Sequence, residues 1–311
     1  MNSKSIKKII IFLGISFTFY FSLIFYFEVD SLEFSNIKFK IDYYPLIIGI
    51  LIIHTLFHNL RFYRLLHNLK IRISFIESLK ISLAGMALGF TPGGIGTAIK
   101  CHIIKNKFGN SISYTLPVIF LERITELIGI IFVLLFLNLI VFNLHSLIIS
   151  IIGIIFVTIF FLVISTKLFY KLVDNLISKI SIFKQLSSSL ENSRESIKQL
   201  LKNKIIIESI VYSIISKLIY LIAIYYIFIS FDIDLGIPIS ATIYYTSLLV
   251  GVMSFIPAGI IVTESSMITV LSQYGINFSL ATLVVIVLRI IGTWILSLFG
   301  TLTYIIFYRK S

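Results

Sequence analysis

The sequence predicts an all-α integral membrane protein, a polytopic helix bundle built from two inverted repeats. Three observations predict this fold class. Apolar runs recur along nearly the whole chain, basic residues collect between the runs, and two Pro-Gly segments interrupt the runs at corresponding places. Of the 311 residues, 58% are hydrophobic and 13% are charged, whereas soluble domains carry about a quarter charged residues. Hydrocarbon must therefore be the main solvent of the surface.

Six stretches are apolar enough to cross a bilayer, which takes roughly 20 mostly apolar residues. They are 7–27, 43–60, 113–141, 147–166, 205–230 and 281–307. The first follows Lys7 and Lys8 and resembles a secretory signal. Its apolar part is too long for one, and no small-residue cleavage site follows it. We therefore predict that it is the first transmembrane helix.

Two further segments, 73–108 and 238–275, each begin as a helix and then meet proline and glycine. Proline removes a backbone donor and glycine relaxes the backbone, so a helix ends there. If the chain turns back at Pro92, the basic clusters all lie on the cytoplasmic side, as the positive-inside rule requires. Only Lys38 and Lys40 then lie outside. The sequence therefore predicts two re-entrant hairpins, a cell-membrane location and cytoplasmic N and C termini.

The basic residues assigned to the cytoplasmic side by this topology are Lys4, Lys7, Lys8, Arg61, Arg64, Lys70, Arg72, Lys100, Lys105, Lys107, those between Lys167 and Lys204, Arg309 and Lys310. The segment 167–204 places apolar side chains on one helical face, which is typical of an amphipathic helix on the cytoplasmic leaflet. A regulatory role or a plain connection are both compatible with it.

The two Pro-Gly segments align with each other, residues 90–95 on 255–260. From Pro92 to Arg123 the spacing is 31 residues, and from Pro257 to Arg289 it is 32. Residues 1–142 and 143–311 are thus predicted to be one unit inserted in opposite directions, within a single membrane domain. Inverted repeats with broken helices at the midplane are typical of secondary transporters. The alternative is a chance alignment in an isoleucine-rich sequence.

Four basic residues fall inside apolar segments: Lys80, Arg123, Lys217 and Arg289. Each charge at the centre of a span costs about 2.5–3.5 kcal/mol, so such residues have a partner or a function. Lys80 is expected to extend to the inner surface, and Lys217 to line a cavity.

Acidic partners for the two arginines can be predicted from spacing. Arg123 has Glu122 beside it and Glu126 three residues on, the spacing that favours an ion pair on a helix. Arg289 has no acidic neighbour in sequence, and Glu264, after the second proline, is its predicted partner. These pairs either tether helices or contact a substrate.

No cofactor or metal site is predicted. His54 and His58 are four residues apart, but no carboxylate accompanies them, and the single cysteine, Cys101, is expected to be a small apolar residue. Gly89 to Gly94 fit G-x-x-x-x-G, yet Ile95 follows where a nucleotide-binding loop needs lysine. The charges alternate with apolar runs rather than forming a basic stripe, which disfavours nucleic-acid binding.

At three segments the sequence resembles the lysylphosphatidylglycerol synthase/flippase transmembrane family, the UPF0104 type. The family shows T-P-G-x-x-G-E-x-x-R/K, then E-R-x-x-D/E, then P-G-G-x-G-x-x-E. The corresponding residues here are 91–100, 122–126 and 257–264. Thr97 replaces the usual glutamate, Ala258 and Ile261 replace glycines, and Thr263 stands where a basic residue is common.

The resemblance implies a flippase-like membrane domain. In bifunctional members an aminoacyl-transferase domain follows it; this chain ends at Ser311, so we expect no synthase activity. The leading hypothesis is a translocase of an anionic or polyprenyl-phosphate-type lipid. The alternatives are a small-solute secondary transporter, a membrane-embedded lipid-modifying enzyme, and an accessory subunit of lipid or glycan biosynthesis. Expected partners are membrane lipids, a second copy of the chain, or lipid and glycan biosynthesis enzymes.

The predicted substrate-binding residues combine the two breaks with the charges inside the spans. They are Thr91, Pro92, Gly93, Gly94, Lys100, Glu122, Arg123, Glu126, Lys217, Pro257, Gly259, Glu264 and Arg289. Basic residues suit a phosphate-bearing headgroup, because arginine forms bidentate pairs with phosphate.

Overall fold

The computed structural model describes residues 40–89, 97–165 and 196–308. The predicted first span at 7–27, the first Pro-Gly segment with Thr91, Pro92, Gly93 and Gly94, and most of the segment 167–204 lie outside these ranges.

The described residues form helices and connecting turns, with no strand among them. We number the helices in chain order: α1 Tyr44–Asn68, α2 Phe75–Met86, α3 Ile99–Phe108, α4 Ile112–Ile140, α5 Leu144–Ser165, α6 Asn203–Ile229, α7 Gly236–Met253, α8 Val262–Gln273, α9 Phe278–Arg289 and α10 Ile295–Tyr308. A π-helical turn, Ile290–Trp294, joins α9 to α10.

Local capping explains where several helices begin. The side chains of Ser74, Ser111 and Asn277 accept hydrogen bonds from backbone amides three residues on, at 3.2, 3.3 and 2.7 Å. These bonds satisfy amides that have no partner within the helix and fix the first residues of α2, α4 and α9.

The five predicted spans that fall in the described residues are helices with nearly the predicted ends. The exception is the span predicted at 43–60, because α1 continues to Asn68. The predicted span ended before Arg61 and Arg64 because they are charged, whereas the observed helix includes both residues. Arg61 therefore lies on a helix rather than in the predicted loop, and its side chain is only 2% exposed inside the bundle.

Among the described residues, four helical segments are long and apolar enough to cross a bilayer: Ile41–Asn68, Asn203–Ile229, Gly236–Met253 and Phe278–Tyr308. The third is α7, part of a predicted re-entrant hairpin. Its 18 residues extend about 27 Å at 1.5 Å per residue, slightly less than the ~30 Å hydrocarbon core.

The outer surface of the bundle is apolar, as a lipid-facing surface must be. On α5, Ile151, Ile152, Ile155 and Ile159 are all about half exposed. Water does not favour so large an apolar surface, and helices satisfy their backbone hydrogen bonds internally. The protein is therefore a helical membrane protein.

Each predicted break separates a pair of helices that pack against one another, α2 with α3 and α7 with α8. A glycine permits the close approach in both pairs. A Cβ on Gly85 would lie 2.4 Å from Lys100 Cε, and a Cβ on Gly251 would lie 1.9 Å from Thr263 Oγ1. Gly85 lies seven residues before Pro92, and Gly251 six before Pro257. Each glycine therefore lets the start of the next helix pack closely against the helix before the break.

Candidate functional site

The first half of α4 carries three charges on an otherwise apolar helix, Glu122, Arg123 and Glu126. Residues four apart lie on the same helix face, so the two carboxylates are one turn apart. Each carboxylate contacts a cation from another helix.

Glu122 binds Lys100 at the start of α3. Lys100 Nζ donates to Glu122 Oε2 at 3.0 Å and to Oε1 at 3.3 Å. Their side chains are 3% and 4% exposed, and Lys100 Nζ also lies 4.4 Å from the centroid of the Phe62 ring. The pair fastens α3, the helix after the first break, to α4.

Arg61 is a third member of this group. Its Nη2 lies 4.0 Å from Glu122 Oε1 and donates to His58 Nε2 at 3.1 Å. Its Nη1 donates to Ser213 Oγ on α6 at 2.5 Å, whereas its Nε is buried without a hydrogen-bond partner among the described residues. Because arginine only donates, His58 must accept through an unprotonated Nε2. Arg61 thus connects α1, α4 and α6.

Glu126 binds two cations. Arg123 Nη1 lies 3.0 Å from its Oε2, so the predicted pair at spacing three is present. Lys217 Nζ lies 3.0 Å from its Oε1 and is 9% exposed. Lys217 was predicted to line a cavity; its observed contact is this ion pair, which joins α6 to α4.

The predicted pair of Arg289 and Glu264 is also present. Arg289 Nε donates to Glu264 Oε1 at 2.6 Å, and its Nη2 donates to the Ala258 carbonyl at 2.7 Å. Arg289 ends α9, directly before the π-helical turn, and such turns are frequent at functional sites. The arginine therefore holds both the helix after the second break and the backbone of the break itself.

The second break is an unusual stretch of backbone. Phe255, Ala258 and Ile261 have φ of 56°, 54° and 72°, and Gly259 has 63°. Only glycine adopts this left-handed region without strain. Gly259 also lies against Gly251, since a Cβ on it would come 3.0 Å from the Gly251 Cα. Pro257 begins the short 3-10 turn Pro257–Gly259.

Near the first break, α10 supplies hydrogen bonds to the end of α2. Ser297 Oγ lies 3.2 Å from the Met86 carbonyl and 3.4 Å from the Ala87 carbonyl. A Cβ on Gly300 would lie 2.5 Å from the Leu83 carbonyl. The backbone freed by the break is thus stabilised by the other half of the chain.

Polar side chains of α1, α6 and α7 contact one another beside the π-helical turn that follows Arg289. His54 Nδ1 lies 2.9 Å from the Ser216 carbonyl, and its ring lies 4.9 Å from that of Tyr220. Tyr244 donates to Tyr220 at 3.4 Å between their hydroxyls. A Cβ on Gly292, in the π-helical turn, would lie 2.3 Å from the Tyr220 hydroxyl. Buried polar groups therefore extend from α1 through α6 to the turn after Arg289.

Two other residues singled out in the sequence, Lys80 and Cys101, take part in none of these ion pairs. Lys80 Nζ lies 4.3 Å from the centroid of the Phe307 ring, and Cys101 is buried. Within the described parts of the chain, no three His, Cys, Asp or Glu side chains are grouped as metal ligands.

Sequence reasoning missed two features of the site. The Lys100–Glu122 contact joins residues 22 positions apart, and the Arg61 contacts cross from α1 to α6. No local spacing signals either of them. The one indication in the sequence was that Arg61 directly follows an apolar run, with no proline or glycine between them to end the helix.

The comparisons with known proteins agree with this membrane bundle. The model of the family described as "Lysylphosphatidylglycerol synthase TM region" matches residues 9–300. A UPF0104 membrane protein of Methanocaldococcus jannaschii is 26% identical over 229 residues, covering 70% of this chain and 93% of the relative. A second UPF0104 membrane protein, from Methanothermobacter thermautotrophicus, is 25% identical over 118 residues, covering 38% of this chain and 35% of the relative.

No solved structure gives a significant match. The family match includes nearly all described helices and every charge of the site. The chain therefore belongs to the family of the lysylphosphatidylglycerol synthase transmembrane region.

Proposed function

We propose that this protein is a lipid translocase that moves an anionic, phosphate-bearing lipid across the cell membrane without modifying it. The observation that carries the proposal is a set of largely buried ion pairs, on α4 and after the two helix breaks, inside a bundle with an apolar surface. A polar headgroup crosses hydrocarbon only at a high desolvation cost. Charged and hydrogen-bonding side chains at the helix breaks offset that cost while the acyl chains stay in lipid.

Two inverted repeats, 1–142 and 143–311, would give this path its two-sided access. The helix contacts support the repeat. If α1 corresponds to α6, α2 to α7, α3 to α8, and α4 to α9 with α10, then five contacts have counterparts: α1–α2 with α6–α7, α2–α3 with α7–α8, α3–α4 with α8–α9, α1–α4 with α6–α9, and α2–α10 with α7–α4.

The ion pairs support the repeat as well. In each half a charge in the first turn after the break binds a charge on the next helix, Lys100 with Glu122 and Glu264 with Arg289. The sign is reversed between halves. We propose that both helix pairs are re-entrant hairpins entering from opposite sides, with both termini cytoplasmic, as the distribution of basic residues requires.

An apolar groove beside the charges would suit a lipid chain. It is lined by residues of α4, of α5 and of the helical segment before α6: Pro117, Phe120, Leu121, Ile124, Phe161, Ile197, Leu200 and Leu201. Leu121 and Ile124 alternate along α4 with Glu122, Arg123 and Glu126, so a chain in the groove would lie at the level of these charges along the helix.

Reconstitution tests the proposal. Purified protein in phosphatidylcholine vesicles should accelerate the transbilayer movement of labelled anionic lipids, measured by chemical quenching of the label in the outer leaflet. Arg289→Ala should slow this movement at least about tenfold, because it removes the bonds to Glu264 and the Ala258 carbonyl; tenfold corresponds to about 1.4 kcal/mol.

The control is Lys80→Gln, which leaves every ion pair of the site intact and should move lipid at the rate of the parent chain. Movement of no anionic lipid by a folded parent protein would refute the translocase. Uptake of a water-soluble solute without lipid movement would instead favour a small-solute transporter.

A further inference from the structure

The ion pairs of α4 are not balanced in charge. Four cations lie within ion-pair distance of only two carboxylates. The cations are Arg61, Lys100, Arg123 and Lys217, and the carboxylates are Glu122 and Glu126. The cluster, as we call these six residues, therefore has a formal charge of two positive.

Within the part of the chain that the structure describes, no carboxylate besides Glu122 and Glu126 forms an ion pair with the cluster. Glu264 is bonded to Arg289, which balances it. The predicted first span, 7–27, and residues 90–96 of the predicted segment 73–108 lie outside the described residues and contain no acidic residue. His58 accepts from Arg61 and so adds no charge.

An excess of two buried positive charges is costly, since each uncompensated charge within a span opposes membrane insertion by about 2.5–3.5 kcal/mol. A charge left without a counter-charge in a protein interior is strongly destabilising. A bound anion with two negative charges would remove the excess completely, whereas a singly charged anion would leave half of it.

The cluster also has free donors and an open side. Arg61 Nε and Arg123 Nε are buried without a hydrogen-bond partner among the described residues. Arg123 is 35% exposed and Glu126 is 20% exposed, whereas Lys100 is 3% exposed. A ligand would therefore reach the cluster on the side of Arg123.

We propose that the cluster binds a doubly charged phosphate group, as found on a lipid phosphomonoester or pyrophosphate, in preference to a phosphodiester. A phosphate presents several acceptor oxygens, and guanidinium groups bind it with paired hydrogen bonds. That the phosphate belongs to a lipid rests on the proposed function; the preference for two charges rests on the cluster alone.

The test compares two lipids with the same acyl chains, phosphatidic acid, a phosphomonoester, and phosphatidylglycerol, a phosphodiester. Binding to the purified protein is measured in phosphatidylcholine nanodiscs by displacement of a fluorescent phosphatidic acid. At about pH 7.5 phosphatidic acid should bind at least about tenfold more tightly. At about pH 5 the preference should largely vanish, because the second phosphate pKa is about 6 and the monoester then carries one charge. Equal affinities at about pH 7.5 would overturn the proposal.

Variants locate the preference. Lys217→Gln lowers the excess to one charge and should reduce the preference severalfold, as should Arg123→Gln, whose more exposed side chain makes misfolding a smaller concern. Lys80→Gln should keep the full preference. If folded Arg123→Gln and Lys217→Gln both retain the parent preference, the cluster is not the site.

Two competitors separate the sources of the phosphate. Competition by a polyprenyl monophosphate but not by inorganic phosphate supports a lipid ligand. Equal competition by inorganic phosphate supports the doubly charged site but assigns it to a soluble ligand. In that case the vesicle assay for lipid movement should also fail, so the translocase would be lost while the site stands.

Discussion

The two helix breaks are tied to the bundle by the same device with opposite charge. After the first break, Lys100 on α3 binds Glu122 on α4, and Arg61 adds a second cation. After the second break, Glu264 on α8 binds Arg289 on α9, and the remaining guanidinium bond goes to a backbone carbonyl. The second pair is neutral as a unit, whereas the first belongs to a cluster with excess positive charge. The comparison teaches that one architecture can hold a helix break and, in one half only, create a place for an anion.

The largest effect is expected when the first half loses its carboxylate. Glu122→Gln leaves Lys100 and Arg61 buried without that counter-charge. Removing one partner of a buried pair typically costs about 3–5 kcal/mol. The free energy of unfolding, measured by SDS titration in mixed micelles, should fall by this amount.

The control is Lys107→Gln, which removes a half-exposed partner of Glu77. An exposed pair contributes about 0–1 kcal/mol. A Glu122→Gln loss no larger than that of Lys107→Gln would mean that Lys100 and Arg61 do not depend on this carboxylate.

How much of this contrast the sequence predicts depends on how local each contact is. The Arg123–Glu126 pair follows from helix periodicity, because residues three apart meet on one face. The Arg289–Glu264 pair spans 25 positions, yet it was predicted, because Arg289 has no acidic neighbour in sequence and Glu264 follows the second proline. Lys100–Glu122 was not predicted, since Lys100 fitted a cytoplasmic cluster and Glu122 already had Arg123 beside it.

Arg61 shows what charge patterning does not predict at a helix end. The positive-inside rule treats any arginine after an apolar run as a loop charge. Here the helix continues by two turns, and Ser213, His58 and Glu122 surround the guanidinium. Only packing of α1 against α6 and α4 determines this, and single-sequence periodicity holds no information about which helices are neighbours. The tyrosine pair Tyr220 and Tyr244 was missed for the same reason.

A smaller effect should separate the two glycines that seat the helices after the breaks. The nearest atoms to a Cβ on Gly251 include Thr263 Cβ and the Gly259 backbone, which move only with the main chain, whereas the nearest atoms to one on Gly85 are all side-chain carbons of Lys100. Gly251→Ala should therefore cost about 1–3 kcal/mol, the usual cost of overpacking, and Gly85→Ala less. Both are measured by unfolding in micelles.

The double variant Gly251→Ala/Thr263→Ala provides the control. Removing Thr263 Oγ1 takes away the nearest clash, so the double variant should be more stable than the sum of the single changes predicts. If the free-energy changes of the two single variants simply add up in the double variant, the protein relieves the clash without moving Thr263. The packing of the helices after the two breaks would then not differ as proposed.

The smallest effect concerns strain in the second break. Ala258 and Ile261 both have positive φ, 54° and 72°. The left-handed conformation costs a residue with a Cβ about 1–2 kcal/mol, while a new glycine gives back about 0.5–1 kcal/mol through the entropy of the unfolded chain. Ala258→Gly should therefore stabilise the protein by a few tenths to about 1 kcal/mol. Ile261→Gly should stabilise it less, because it also removes a side chain that is only 48% exposed.

Ile260→Gly is the matched control, because its neighbour in sequence lies in the left-handed region and Ile260 does not. It should destabilise the protein through lost packing and added chain entropy. Stabilisation by Ala258→Gly combined with faster lipid movement would mean that the strained backbone slows opening of the second break. Destabilisation by both Ala258→Gly and Ile261→Gly would show that the left-handed turns are held without strain. The second break would then resemble an ordinary helix connection.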